Sequence, residues 1–340
     1  MNSISKYTRL IEEHGINEDE TSAAFDIIMD GRSELSDLIS FLETLNKSGI
    51  NKDHVLGAVK VMKEKMVAVS IPNNSIDTCG TGGDGKFSLN ISTAVAFVLS
   101  ALGIPVAKHG NRSITSNCGS ADVLKSLGVN LDMPTNKISE CIENTGICFM
   151  FAPNHHPAMR HVAEARQILG KKGVKTIFNM LGPLLNPGNV KKQIIGVYNN
   201  EIQEIYKEVF NRTVEKDAFI IYGADGMDEI STEGENKIIF KDKLFTFDPI
   251  SLDIKRPVIK ELIGENPEFN ASRIIEIFSG TKDSFYQIVS INAAFGLALN
   301  NSLELNDENI AKCLSDVEKV LDNGSALGKI KKLKEFTNKQ

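Results

Sequence analysis

The chain has 340 residues, 41% of them apolar and 24% charged, with 38 Lys and Arg against 44 Asp and Glu and a formal net charge of −6. This composition excludes disorder, and the length lets one large domain, alone or with a small companion, bury a core without disulfide staples. A net acidic chain whose lysines are interspersed with acids lacks the basic face that sequence-independent nucleic-acid binding requires, so no nucleic-acid partner is expected. No stretch approaches the roughly 18 apolar residues of a membrane span, and residues 1–7 form no signal-peptide h-region, so the expectation is a cytoplasmic protein without a membrane partner. Cys79, Cys118, Cys141, Cys148 and Cys313 are odd in number and contain no C-x-x-C pair. Neither a disulfide framework nor a zinc ribbon fits them.

Residues 4–69 read as four short helices. Asn17 followed by Glu20 spells a capping box, Asn51 can cap the fourth helix, and Val55, Val59, Met62 and Met66 line one of its faces. Gly15 and Gly49 stand where helices stop. Pro72-Asn73-Asn74-Ser75 breaks the pattern. Beyond it, β-like runs at 76–78, 104–107, 129–131, 147–151, 194–198 and 218–222 are interleaved with helical runs at 93–102, 121–127, 137–144 and 201–213. An antiparallel pair is expected over 238–247, then a helical tail including 284–299 and 308–321. The alternation predicts an α/β fold: a mostly parallel sheet flanked by helices, with a smaller all-helical domain over 1–70. Ligands of such a sheet bind beyond the carboxyl ends of its strands.

Gly80-Thr81-Gly82-Gly83-Asp84-Gly85-Lys86 follows a predicted strand and precedes a predicted helix, where backbone N–H groups can cradle an anion. A simple turn needs one or two glycines, and four in six residues point to a ligand. The run matches G-x-G-x-x-G, but the place where a dinucleotide site wants an acidic residue holds Lys108-His109. It nearly matches a P-loop, but Phe87 stands where the magnesium-binding hydroxyl belongs, and Asp84 puts a negative charge among the phosphates. Asp84 suits a ligand that is not purely anionic, or one partly neutralised by a metal. Asn90-Ile91-Ser92-Thr93 then offers an amide and two hydroxyls at a helix start, where Ser92 and Thr93 fit either an N-cap or a phosphate and metal contact. The next strand ends in Lys108-His109-Gly110-Asn111-Arg112-Ser113, followed by Thr115-Ser116-Asn117-Cys118-Gly119-Ser120. Cationic and hydroxyl groups at a second strand end make a second anion pocket.

These segments resemble the anthranilate phosphoribosyltransferase family, and so do His155–Arg160, Arg166, Thr176–Asn179, Gly182–Leu184 and Gly223–Glu229 in the same order, over about residues 4–335. The resemblance implies transfer of phosphoribose from 5-phosphoribosyl 1-pyrophosphate to the amine of anthranilate, with Mg2+ as cofactor and a homodimeric assembly. It implies sugar-pyrophosphate contacts at Gly80, Gly83, Asp84, Ser88, Asn90, Ile91, Ser92, Thr93, Lys108, His109, Gly110, Asn111, Arg112, Ser113, Ile114, Thr115, Ser116 and Ser120. The implied metal ligands are Ser92, Asp228 and Glu229, and the implied anthranilate contacts are Gly80, Asn111 and Arg166. Element order and the resemblance together join the helices around 158–185 to the small domain, leaving 71–157 and 190–340 as the large one. Leu185 stands where the family commonly has threonine, and Gly170-Lys171-Lys172-Gly173 lengthens the link after Arg166. A pyrimidine-nucleoside phosphorylase would share the glycine loop but not the run Lys108–Arg112. A non-catalytic nucleic-acid-binding relative would be basic and would lose Asn111 or Arg166.

Overall fold

The computed structural model describes residues 3–112, 118–212 and 216–339. It comprises two compact units, Met1–Ala68 with Ala152–Pro187 and Val69–Phe151 with Gly188–Gln340. Residues 152–157 thus cluster with the helices rather than with the sheet.

The first unit is helical. Its opening helices are Ile4–Glu13, Glu18–Met29, Leu35–Lys47 and Lys52–Glu64. The Asn17 box is formed in full: Asn17 Oδ1 accepts from Glu20 N–H at 2.9 Å and Glu20 Oε2 accepts from Asn17 N–H at 3.0 Å. Asn51 caps the fourth helix through Asp53 and His54 N–H. Each helix buries one stripe, with Phe25, Phe41, Leu42 and Val55 fully enclosed, and Phe25 meets Phe178 of the later segment at 5.6 Å. Burial of such side chains contributes about 1.5–3 kcal/mol apiece.

The second unit is built on a seven-stranded sheet: β1 (Ile76–Thr78), β2 (Val106–Gly110), β3 (Ile147–Phe151), β4 (Lys192–Gly196), β5 (Asp217–Tyr222), β6 (Asn236–Phe240) and β7 (Lys243–Phe247). The strand order is β3-β2-β1-β4-β5-β6-β7, parallel through β5 and antiparallel for β6 and β7. The chain winds one way from β1 to β3 and the other way from β4, so β1 and β4 flank the topological switch point. The apolar helices Ile91–Ala101 and Ser284–Asn300 are buried along nearly their whole length. Phe219, Phe295 and Phe247 interlock edge to face, with ring centroids 6.3 and 5.1 Å apart.

The expected strand over 129–131 is not formed. Val129 and Leu131 are buried, but the Asn130 N–H donates to Thr337 Oγ1 at 3.1 Å and its amide to the Thr337 carbonyl, so a helix rather than a ladder satisfies the segment. The second strand starts at Val106 rather than at 104, after Pro105, whose carbonyl accepts from Ile76 N–H at 2.9 Å. The fourth strand is Lys192–Gly196 rather than 194–198. No helix among the described residues is long and apolar enough to cross a membrane.

Candidate active site

The loop after β1 is anchored at its base by the β4 backbone, since Cys79 N–H donates to Ile194 and Thr81 N–H to Gly196. It then turns through left-handed backbone at Gly82 (φ +64°), Gly83 (+80°), Gly85 (+73°) and Phe87 (+51°). Glycine takes this conformation freely, whereas Phe87 is strained there and leaves its ring exposed. Ser88 closes the loop in a bridge to Ile263.

Asn90 precedes the helix Ile91–Ala101 at the N-cap position but makes no side-chain cap. Ile91 turns its side chain into the core, so only its backbone is open to a ligand. Thr93 Oγ1 is buried and makes no hydrogen bond among the described residues. From β2, the buried Lys108 ammonium donates to the Thr78 carbonyl and lies 3.3 Å from both Thr78 Oγ1 and Ser92 Oγ. Burial pulls its pKa below the ordinary lysine value. His109 is buried as well, and its backbone N–H donates to Asp77 at 3.2 Å. Gly110 admits no side chain, because a Cβ would meet Ser120 Oγ and come within 2.8 Å of the Phe149 ring. Asn111 follows, with its carbonyl accepting from Ala121 N–H at 3.2 Å and its side chain from Arg112 N–H at 2.7 Å. The Arg112 guanidinium lies over the Phe151 ring. Ser113, Ile114, Thr115 and Ser116 lie outside the described residues.

The loop after β5 brings the acids in. Carboxylate oxygens of Asp84, Asp228 and Glu229 all lie within 4.8 Å of one another. Asp228 Oδ2 accepts from Gly82 N–H at 2.8 Å, which ties the acidic loop to the glycine loop. Two glycines make room for this approach: a Cβ on Gly80 would collide with the Asp228 carboxylate, and one on Gly196 with the Asp228 backbone carbonyl. Burial first, and then the Asp228 charge, push the Asp84 carboxyl up to about 6; the same causes in the same order hold Glu229 well above the usual range. Asp84 Oδ2 and Glu229 Oε2 are buried without a hydrogen-bond partner among the described residues. Crowded, unsatisfied carboxylate oxygens are the donor set that a hard divalent cation takes. The sequence assigns Asp84 to the sugar pyrophosphate alone, and the structure adds it to the metal ligand candidates. The signal available beforehand was a carboxylate inside an anion-binding loop.

The Arg166 guanidinium belongs to the helical unit. It lies 5.6 Å over the Phe178 ring, half-buried, with no acidic partner among the described residues. Its helix ends at Lys171, after which Gly173 N–H and Val174 N–H bond back to Gly170 and Leu169. Of the extra residues, Gly170 and Lys171 thus complete the helix that carries Arg166, and Lys172 and Gly173 turn the chain back onto its end.

Residues 72–327 match the glycosyl transferase family, a/b domain. The anthranilate phosphoribosyltransferase of Petrotoga mobilis is 38% identical over 335 residues, covering 97% of this chain and 95% of that protein. This chain belongs to the anthranilate phosphoribosyltransferase family. The crystal structure of the enzyme from Thermus thermophilus superposes with a TM-score of 0.89 at 31% identity, covering 99% of both chains. That from Saccharomyces cerevisiae in complex with PRPP and Mg superposes at 0.92 and 24% identity, covering 99% of this chain and 98% of that one, a likeness of fold. Membership of the family gives the two strand-end loops and the acidic loop one common frame.

Proposed function

We propose that this protein transfers the 5-phosphoribosyl group from 5-phosphoribosyl 1-pyrophosphate to the amine of anthranilate, giving N-(5-phosphoribosyl)anthranilate and pyrophosphate, in tryptophan biosynthesis. The observation that carries the reading is the carboxylate trio set against an anion-cradling glycine loop at the switch point of the sheet. In the reaction a C–N bond forms at the sugar carbon as its C–O bond to pyrophosphate breaks, and the amine proton passes to solvent. Positive charge develops on the ribose and negative charge on the leaving group.

The sugar pyrophosphate would lie along Gly80, Gly83, Asp84, Ser88 and the backbone and hydroxyls of Asn90–Thr93. Lys108, His109, Gly110, Asn111, Arg112 and Ser120 would hold its other end, and Ser113, Ile114, Thr115 and Ser116 complete that assignment. Lys108 supplies a cation already desolvated, which strengthens its pull on a phosphate oxygen. Asp228 and Glu229 with Asp84, and Ser92 through its hydroxyl, would hold the metal; Mg2+, the ion named with the yeast relative, is our assignment. A bound Mg2+ would offset the charge gathering on departing pyrophosphate. Anthranilate contacts are assigned to Gly80, Asn111 and Arg166. Arg166 suits a carboxylate because it is half-buried and carries no acidic partner among the described residues, and an unpaired guanidinium favours an anion with two parallel acceptors.

His156 is an unsuitable proton carrier near neutral pH, since burial and then the neighbouring His155 lower its pKa to about 4. The proposed enzyme is a cytoplasmic homodimer, and light scattering on the full chain tests the oligomeric state. The reaction is tested by anthranilate fluorescence with purified protein, sugar pyrophosphate and magnesium. Loss of signal that needs all three is expected, and a folded protein that consumes no anthranilate overturns the reading.

A further inference from the structure

Asn270 lies far along the chain from the glycine loop, on the helix Pro267–Phe278, and it is 1% exposed. Its surroundings fix which way its amide faces. The Glu265 backbone N–H, which can only donate, reaches Asn270 Oδ1 at 2.9 Å. The Asn270 Nδ2 is thereby turned the other way, where it donates to Asn90 Oδ1 at 2.9 Å and also meets the Cys118 thiol. Asn90 must present its oxygen to that donor, so its own Nδ2 faces the Cys118 carbonyl, at 3.3 Å. The polarity of both amides follows from one backbone N–H.

The segment around Glu265 is itself strapped to the end of the glycine loop. Leu89 N–H donates to Leu262 at 2.8 Å and Gly264 N–H to Phe87 at 2.7 Å. Gly264 permits this approach, because a Cβ there would come within 2.8 Å of the Ser88 carbonyl and 3.0 Å of Asn270 Nδ2.

An asparagine at an N-cap ordinarily uses its side-chain oxygen to accept from the second or third N–H of the helix. Asn90 occupies that place and makes no such bond; its side-chain oxygen instead accepts from Asn270. Capping would close the first turn of the helix to a phosphate; diverting the Asn90 oxygen leaves the second and third N–H groups of the helix without that cap. We propose that Asn270 is a positioning residue for sugar-pyrophosphate binding, acting through Asn90 by drawing its side-chain oxygen away from the N-terminus of the helix Ile91–Ala101. This inference rests on the proposed function, in which Asn90 contacts the sugar pyrophosphate.

The test is a double-mutant cycle on the full chain with Asn270→Asp, Asn90→Ala and the pair. Asn270→Asp keeps an acceptor for Glu265 N–H but sets an acceptor against Asn90 Oδ1, and Asn270→Ala, which removes the donor without adding charge, is run beside it. KM for sugar pyrophosphate is expected to rise roughly tenfold in each Asn270 variant, the scale of one hydrogen bond to a charged ligand, with kcat changed by less than about threefold. In the Asn90→Ala background the same Asn270 substitutions are expected to move that KM by less than about twofold. Full additivity in KM, with circular dichroism showing every variant folded, overturns the relay while leaving the assignment of Asn90 in place. An Asn90→Ala variant with unchanged KM overturns both the relay and the assignment of Asn90. If Asn270→Asp does not fold, Asn270→Ala alone completes the cycle and the same two outcomes decide it.

Discussion

Asp84→Asn separates two consequences of crowding three carboxylates together. The amide keeps the shape of the side chain and the bond that Asp84 Oδ1 accepts from Lys86 N–H at 3.1 Å, and removes one negative charge from the trio. In the protein without divalent cations the Asp84 carboxyl is raised from 3.8 to about 6. A carboxyl raised by folding contributes stability that is fully present below about pH 4 and lost as the pH climbs through about 6. Above that pH the ionised group opposes folding, by about 3 kcal/mol at full value and by about 1–2 kcal/mol once solvent screening at a half-buried side chain is allowed for. The substitution should therefore raise Tm in EDTA at about pH 7.5 by roughly 2–8 °C, since each kcal/mol moves Tm by about 2–4 °C at such sizes. The gain should shrink as the pH falls below about 6, where the wild-type group binds its own proton. Magnesium reverses the order: loss of one donor from the set should raise the concentration needed for half-maximal anthranilate turnover by at least about tenfold. Thermal unfolding from about pH 4.5 to 8 in EDTA, with magnesium titrations of turnover, reads both effects. A variant less stable than wild type in EDTA at neutral pH, or a gap that widens toward acid, would refute the reasoning.

Gly196→Ala should be more damaging than its size suggests, because the added methyl overlaps the Asp228 backbone carbonyl and forces the acidic loop away; kcat/KM should fall by about 100-fold or more, and an unchanged magnesium dependence would contradict the role given to this close approach. His156, 7% exposed and lowered to about 4, contributes stability present above about 6.5 and lost as the pH falls through 4. His156→Gln should therefore flatten the acid limb of stability between those values, by at most about 3 kcal/mol, read as Tm against pH. Asp228→Asn with Glu229→Gln should depress turnover and raise the magnesium requirement, and identical titration curves would remove them from the metal site. Arg166→Ala should raise KM for anthranilate by roughly 10–100-fold with little change for the sugar pyrophosphate; a shift in the second constant alone would show that Arg166 serves the other substrate.

Local chemistry made much of the fold legible. Asn17 and Asn51 announced their helices because a cap is settled by a few neighbouring residues, and both bond as the pattern implies. The strand at 147–151 was visible because a short apolar run bounded by a helix stop has few alternatives. Residues 129–131 misled because their alternation reports burial on one side, and the partner that produces it, Thr337 on the helix Ser325–Asn338, lies some two hundred positions away. The sequence offers no local sign of that contact. The start of β2 was misplaced for a related reason: Ile104 is as buried as a strand residue, yet the parallel ladder to β3 begins at Val106.

The same division runs through the candidate site. Glycine density and hydroxyl-rich strand ends expose the anion pockets, since a ligand that needs backbone N–H groups needs residues without bulk. Asp84 joins the candidate metal ligands only in the structure, because its neighbours Asp228 and Glu229 arrive from the loop after β5 and only three dimensions place them within 4.8 Å. Asn270 left no mark at all: it follows an ordinary helix start, where asparagine is unremarked, and its importance lies in a hydrogen bond spanning 180 positions. What the sequence cannot display is mutual orientation, because a side-chain amide reads the same whichever end it turns to its partner. Here one backbone N–H decides that orientation, and it does so for a residue at the N-cap position of the helix Ile91–Ala101, where the proposed function puts a phosphate. A cap that stabilises a helix by about 1 kcal/mol is thus forgone at the helix start to which the proposed function assigns a phosphate contact.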